Sequence, residues 1–179
     1  AIICLLTVFL YLFVYTPSKR FSTLNTLIGS IPGALPVLGG WTAATDSLNS
    51  VSWILFSILF CWQIPHFLAI AIIYAKDYKK GGFKMLPSEY PNSKHPQYHV
   101  LFFSIAMVGT SLGLYFNSKN IVDFGYLLGI SIIGILFLLV VLQFLFNSSN
   151  RNAKKLMRAT LFYFPLMFIL IILDAIGLI

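Results

Sequence analysis

The chain has 179 residues, of which 59% are hydrophobic and only 9% charged, against the roughly 25% charged expected of a soluble globular domain. That balance excludes a soluble protein, and the formal charge of +7 is not a nucleic-acid signal here, because a cation excess in a membrane protein reports its cytoplasmic loops. A hydrocarbon core about 30 Å thick takes roughly 20 apolar residues per helical span, so a chain of this length holds about six spans with short loops.

The first apolar run covers residues 1–15. It opens without a Met, a basic leader or a cleavage site and stops at Tyr15, short of a full span, so it reads as a helix truncated at its amino end. Tyr15-Thr16-Pro17-Ser18-Lys19-Arg20 follows as a turn at the membrane surface. Its two cations orient the chain, and they also suit an anion: arginine binds phosphate as a bidentate fork and lysine as a point charge. The second span, 26–44, carries Gly29, Pro32, Gly33, Pro36, Gly39 and Gly40 before Trp41. Small residues four apart let helices approach closely, and the prolines predict a kinked helix, either tightly packed or forming the thinned wall of a cavity.

The third span, 51–74, is the most informative. Gln63, Pro65 and His66 interrupt an otherwise apolar run, and polar residues at membrane depth are costly enough to suggest function. Pro65 deprives a carbonyl one turn earlier of its donor, which favours a kink. If the helix continued to Asp77, that acid would lie about 20° round from His66 and about 16 Å further along the axis. The plainer readings are a histidine that hydrogen-bonds a neighbouring helix and an aspartate that ion-pairs in solvent.

From Tyr74 to His99 runs a long polar segment with Lys76, Lys79, Lys80, Lys84 and Lys94, the acids Asp77 and Glu89, Gly81-Gly82, and Pro87, Pro91 and Pro96. Such a loop in a compact bundle invites a functional reading. Three further spans follow at 99–116, 122–146 and 156–178. Of the 12 cations, all but Lys119 fall in or at the edge of the loops 16–25, 75–98 and 147–155, which the positive-inside rule makes cytoplasmic. Lys19, Arg20, Lys76, Lys79, Lys80 and Lys84 would rim a cavity mouth suited to an anionic head group, whether of a substrate or of membrane lipid. Asp46, Asp123 and Asp174 lie toward the other side and read as structural; Trp41, Trp53 and Tyr126 read as interfacial anchors. Cys4 and Cys61 show neither metal spacing nor a disulfide framework and read as small buried hydrophobes. The expected class is all-α, a polytopic transmembrane helix bundle, since continuous rather than alternating apolar runs exclude a β-barrel.

Several ordered motifs sharpen this. Tyr15 to Arg20, then Ile28-Gly29-Ser30-Ile31-Pro32-Gly33-Ala34-Leu35-Pro36 with Gly40-Trp41, then Trp62-Gln63-Ile64-Pro65-His66-Phe67, and finally Asp77-Tyr78-Lys79-Lys80-Gly81-Gly82-Phe83-Lys84-Met85-Leu86-Pro87 together resemble the protohaem IX farnesyltransferase (haem O synthase) family of UbiA-type intramembrane prenyltransferases. The resemblance implies a nine-helix fold of which residues 1–179 form the carboxyl-terminal two-thirds, as a single membrane domain. The first three helices, with the Asn/Asp-rich motif between the second and third, would then be missing, and the fragment alone is expected to be inactive.

The same resemblance implies transfer of a farnesyl group from farnesyl diphosphate to a vinyl group of haem B, with addition of water, giving haem O and diphosphate for cytochrome oxidase haem biosynthesis. Mg²⁺ is the implied cofactor. Asp77 would hold it directly or through water, although Gly81 stands where many superfamily members carry a second acid; Mg²⁺ usually takes one or two carboxylates with waters and substrate phosphates. Lys19, Arg20 and Lys80 would neutralise the diphosphate, with Tyr15 and more weakly Tyr74 beside it. His66 would meet the porphyrin on its iron or through a propionate. The implied setting is a bacterial inner membrane with the active side cytoplasmic, and haem A synthase or oxidase assembly factors are the implied protein partners. Two alternatives stay open: a related transferase with another aromatic acceptor, and a noncatalytic transporter or haem carrier, for which no convincing internal repeat is visible.

Overall fold

The computed structural model describes residues 1–91, 93–118 and 121–178. Among them, six helices are long and apolar enough to cross a membrane. The first, Ile2–Phe21, is assembled from α1 (Ile2–Phe9), a π-helical stretch (Leu10–Tyr15) and α2 (Thr16–Phe21). It therefore continues past Tyr15, where the apolar run ends. Pro17 has no N–H and its ring crowds the carbonyl four residues back, and the wider π turn takes up that strain. The Thr16 hydroxyl donates to the Tyr11 carbonyl at 2.8 Å. The surface turn expected over 16–25 shrinks to residues 22–24.

The second span is α3 (Asn25–Thr45), which runs through Pro32 and Pro36 and closes on Asp46 in left-handed geometry, φ 52°. The third, α4 (Ser50–Ile73), starts on a capping box: the Asn49 side chain accepts from the Ser52 N–H at 3.1 Å and the Asn49 N–H donates to Ser52 Oγ at 3.2 Å. It ends where Tyr74 leaves helical geometry, φ −109° and ψ 25°. Asp77 consequently sits on a separate short helix, α5 (Ala75–Lys80), and the single helical face expected to carry both His66 and Asp77 does not form. The break at Tyr74 resets the rotation between them.

After α6 (Leu86–Glu89) come the remaining spans, α7 (His95–Asn117), α8 (Phe124–Phe146) and α9 (Asn150–Ala175). The last begins earlier than its apolar run. Ser149 caps it by accepting from the Asn152 N–H at 3.4 Å, so Arg151, Lys154, Lys155 and Arg158 ride on the opening turns of a helix rather than in a loop. Lys119, the cation expected on the opposite side, lies outside the described residues.

The central helix is α4, packed between α3 and the pair α7 and α9, with α8 closing against α7 and α9 and α1 lying on α3. Lipid tails are as apolar as leucine, so helices associate in membranes through close approach and interhelical hydrogen bonds. Gly134 on α8 shows the first: a Cβ there would fall 2.8 Å from Val108 Cγ1 on α7. Gln63 shows the second, donating to the Leu59 carbonyl at 3.1 Å and, across the seam, to the Ser30 carbonyl of α3 at 3.4 Å. Its polar side chain is thereby engaged in joining α3 to α4.

The structural role expected of Asp174 takes a specific form. Its carboxylate accepts from the N–H of Asp123 and from the N–H of Tyr126, the latter at 3.1 Å, and so caps α8 from the neighbouring α9. Asp123, at the capping position itself, makes no side-chain cap bond. Tyr126 is not an interfacial anchor: it is fully buried and its hydroxyl donates to the Ser111 carbonyl at 3.0 Å. Both cysteines are free, Cys61 buried as expected and Cys4 exposed because α1 buries none of its residues.

Candidate functional site

The helix directions bring residues 15–26 and 74–85 to one end of the bundle. Asn25, 1% exposed, opens α3 and ties the two segments together. Its side-chain N–H groups donate to the Ser22 carbonyl and to the Lys84 carbonyl, both at 2.7 Å. The Lys84 N–H donates in turn to the Lys19 carbonyl at 2.8 Å. Each such bond nets about 0.5–1.5 kcal/mol, and removing the shared donor loses both ties at once.

The turn after α5 is set by glycine. The Gly81 N–H donates to the Asp77 carbonyl at 2.9 Å and the Phe83 N–H to the Tyr78 carbonyl at 3.0 Å. Gly82 between them has φ 71°, left-handed geometry that carries no Cβ penalty for glycine. The reversal swings Phe83 back against Tyr78, with ring centroids 6.3 Å apart and the rings near perpendicular.

These constraints enclose a cavity of about 280 Å³ lined by Tyr15, Lys19, Thr26, Phe67, Tyr78, Phe83 and Met85. Gly29 positions its polar wall: a Cβ there would fall 2.6 Å from Tyr15 Cδ2, so the phenol ring occupies the space of the absent side chain. Lys19 Nζ lies 4.3 Å from the centroid of that ring, a cation–π contact worth about 0.5–2 kcal/mol depending on desolvation. Burial raises the Tyr78 phenol above its ordinary pKa, and the neighbouring Tyr15 phenol adds to the rise. Tyr78 thus stays a neutral O–H donor at physiological pH. An ammonium, two phenols and a hydroxyl in one lining with aromatic rings and a methionine suit an anionic head joined to an apolar chain.

Of the residues singled out from the sequence, Tyr15 and Lys19 line this cavity. Arg20, Tyr74, Asp77 and Lys80 stand exposed at the same end of the bundle, outside its lining. His66 turns toward α9, its Nδ1 2.8 Å from Thr160 Oγ1 and its ring stacked on Trp62 at 5.0 Å. Sequence reasoning missed Tyr78, Phe83, Thr26 and Asn25. Tyr78 had a signal, an aromatic within the Asp77 motif just beyond a membrane helix; Phe83 and Asn25 depend on a reversal and a bond spanning 59 positions. Among the described residues, no three His, Cys, Asp or Glu side chains converge as a metal cluster. Asp77 is the acidic candidate that the sequence offers for Mg²⁺, and its exposed carboxylate fits an ion that keeps its waters and takes phosphate oxygens.

Comparison with known proteins agrees with the geometry. A family profile described as the UbiA prenyltransferase family matches residues 1–172. A protoheme IX farnesyltransferase of Salinibacter ruber is 38% identical over 92% of this chain and 57% of its own length, and one of Solibacter usitatus is 36% identical over 94% and 57%. One from Bacillus pumilus reaches 52% identity over 50% of this chain and 30% of its own. The chain thus spans about 57% of the length of the first two relatives. A solved structure from work on digeranylgeranylglyceryl phosphate synthase superposes with a TM-score of 0.78 over 98% of this chain and 60% of its own, at 22% identity, a likeness of fold.

Proposed function

The chain belongs to the UbiA prenyltransferase family, and from that premise we propose that it transfers the farnesyl group of farnesyl diphosphate to a vinyl group of haem B, with addition of water, to give haem O and diphosphate. The observation that carries this reading is the cavity in which Lys19 is held over Tyr15 in a lining shared with Phe67 and Phe83. The named relatives support haem B as the acceptor.

Breaking the allylic carbon–oxygen bond leaves the electron pair, and negative charge, on diphosphate. Donors fixed where that charge develops lower the barrier without reorganising. Lys19 is preplaced by the Tyr15 ring, Tyr15 and Tyr78 supply phenolic O–H groups, and Arg20 and Lys80 add cations at the same end. Asp77 would hold Mg²⁺, which supplies Lewis-acid neutralisation of the phosphates. Phe67, Phe83 and Met85, in the same lining, would keep water from the electron-poor allylic carbon. The vinyl π pair of the porphyrin then forms the new carbon–carbon bond; water adds to the resulting cation and loses a proton.

The cation-bearing end faces the cytoplasm of a bacterial inner membrane in this reading, with membrane lipid around the bundle and a haem A synthase or an oxidase assembly factor as downstream partner. The full-length protein in lipid vesicles, given haem B, farnesyl diphosphate and Mg²⁺, should yield haem O by mass spectrometry. Turnover with a quinone precursor instead would replace the acceptor, and the absence of turnover with every prenyl diphosphate would overturn the reading.

A further inference from the structure

The contacts of Thr160 on α9 favour one tautomer of His66. Its hydroxyl donates to the Met157 carbonyl at 2.6 Å, which uses its single proton. Toward His66 Nδ1, 2.8 Å away, Thr160 Oγ1 can then only accept, so Nδ1 bears the imidazole N–H and Nε2 keeps a bare lone pair. Trp62 holds the plane of the ring: the two rings stack 5.0 Å apart and 10° from parallel, and the indole N–H is anchored on the Thr160 carbonyl at 2.7 Å. One threonine therefore fixes both rings.

Among the described residues Nε2 has no hydrogen-bond donor, yet it is not among the sealed polar atoms. His66 lies seven positions before the end of α4 at Ile73, about 10 Å along the axis, where the surroundings are apolar and an unmet lone pair calls for a ligand. The two porphyrin contacts that the sequence left open make opposite demands. A propionate needs an N–H donor, and the one N–H of this tautomer is committed to Thr160. An iron needs a lone pair, and Nε2 presents one.

Building on the haem reading above, we propose that His66 Nε2 is an axial ligand to the iron of the porphyrin substrate, with Thr160 as the positioning residue that keeps that lone pair free. The step is a coordination bond made by the Nε2 pair at a vacant axial position; no proton or electron is transferred. The test is titration of the protein in lipid nanodiscs with haem B and with metal-free protoporphyrin IX, which has the same propionates and no iron. His66→Ala should weaken haem B about tenfold or more, each tenfold being 1.4 kcal/mol, abolish the ligation-dependent Soret shift, and leave protoporphyrin IX binding unchanged. Thr160→Val should weaken haem B and reduce the shift, while Thr160→Ser, which keeps the hydroxyl, restores both. Nitrogen-15 NMR of the histidine ring should find the proton on Nδ1 in the wild type and a mixture of tautomers in Thr160→Val. Equal losses for both porphyrins in His66→Ala would move the contact to a propionate and overturn the proposal, and a wild-type proton on Nε2 would remove Thr160 from it. A wild type that bound neither porphyrin would remove the haem reading itself, and this assignment with it.

Discussion

Asp77 stands exposed on a six-residue helix beside Lys76, Lys79 and Lys80, whereas Asp174, toward the far end of the bundle, is 8% exposed and gives its carboxylate to two N–H groups at the start of α8. The same functional group is closed to ligands in one place and open in the other. A carboxylate that satisfies the orphan donors of a buried helix end contributes to the fold and has little left for a metal. One that projects from a short surface helix costs the fold little and keeps its lone pairs. Position in the helix network, more than residue type, separates a carboxylate open to ligands from one spent on the scaffold.

The sharpest way to break that comparison is Asp77→Asn. It should lower kcat about 10²–10³-fold, the scale of losing one charge-stabilising group at a transition state, with the unfolding midpoint unchanged; full activity would deny Asp77 its role. Next is Asp174→Leu, expected to destabilise the protein by about 1–3 kcal/mol through the stranded N–H groups, while kcat per folded molecule holds. Equal kcat losses in the two variants would erase the distinction. Asn25→Leu should fall between site and scaffold: about 1–2 kcal/mol of stability lost together with a raised KM for farnesyl diphosphate, because the Lys84 tie to the cavity wall goes with it. The smallest effect belongs to Tyr78→Phe, about 0.5–1.5 kcal/mol for one neutral hydrogen bond, read as a several-fold rise in KM. Because burial raises Tyr78 above its ordinary value of 10.0, its donor proton is lost only on the alkaline side of that value. The tyrosine-dependent fall in the kcat/KM profile should therefore lie further to the alkaline side than that of a free phenol.

The spans were legible because hydropathy sets them, and the six membrane-length helices fall where the apolar runs are. Their ends were less so. Polar first turns are invisible to hydropathy, and for that reason Arg151 to Arg158 read as loop and edge when Ser149 in fact caps a helix before them. The link between His66 and Asp77 failed on one residue, Tyr74, whose departure from helical geometry no periodicity announces. Tyr15 and Lys19 were readable as a local pair. Asn25 was not, since a polar residue at the start of a span looks like a boundary until its partner at Lys84 is placed beside it. Gly29 and Gly33 were read as permitting close helix approach or thinning a cavity wall, and each admits a side chain from a neighbouring helix, Tyr15 and Gln63 respectively.

The π-helical stretch at Leu10–Tyr15 also acts as a phase marker. A π turn is an α-helix that has absorbed an extra residue, and one residue is worth about 100° of rotation. The angular setting of Tyr15 and Lys19 toward the cavity therefore depends on how many residues precede them in that helix as well as on which residues they are. Single substitutions between Leu10 and Val14 should leave the Lys19 ammonium where it is. Deleting any one of those residues, a change that composition would scarcely register, should turn it out of the cavity.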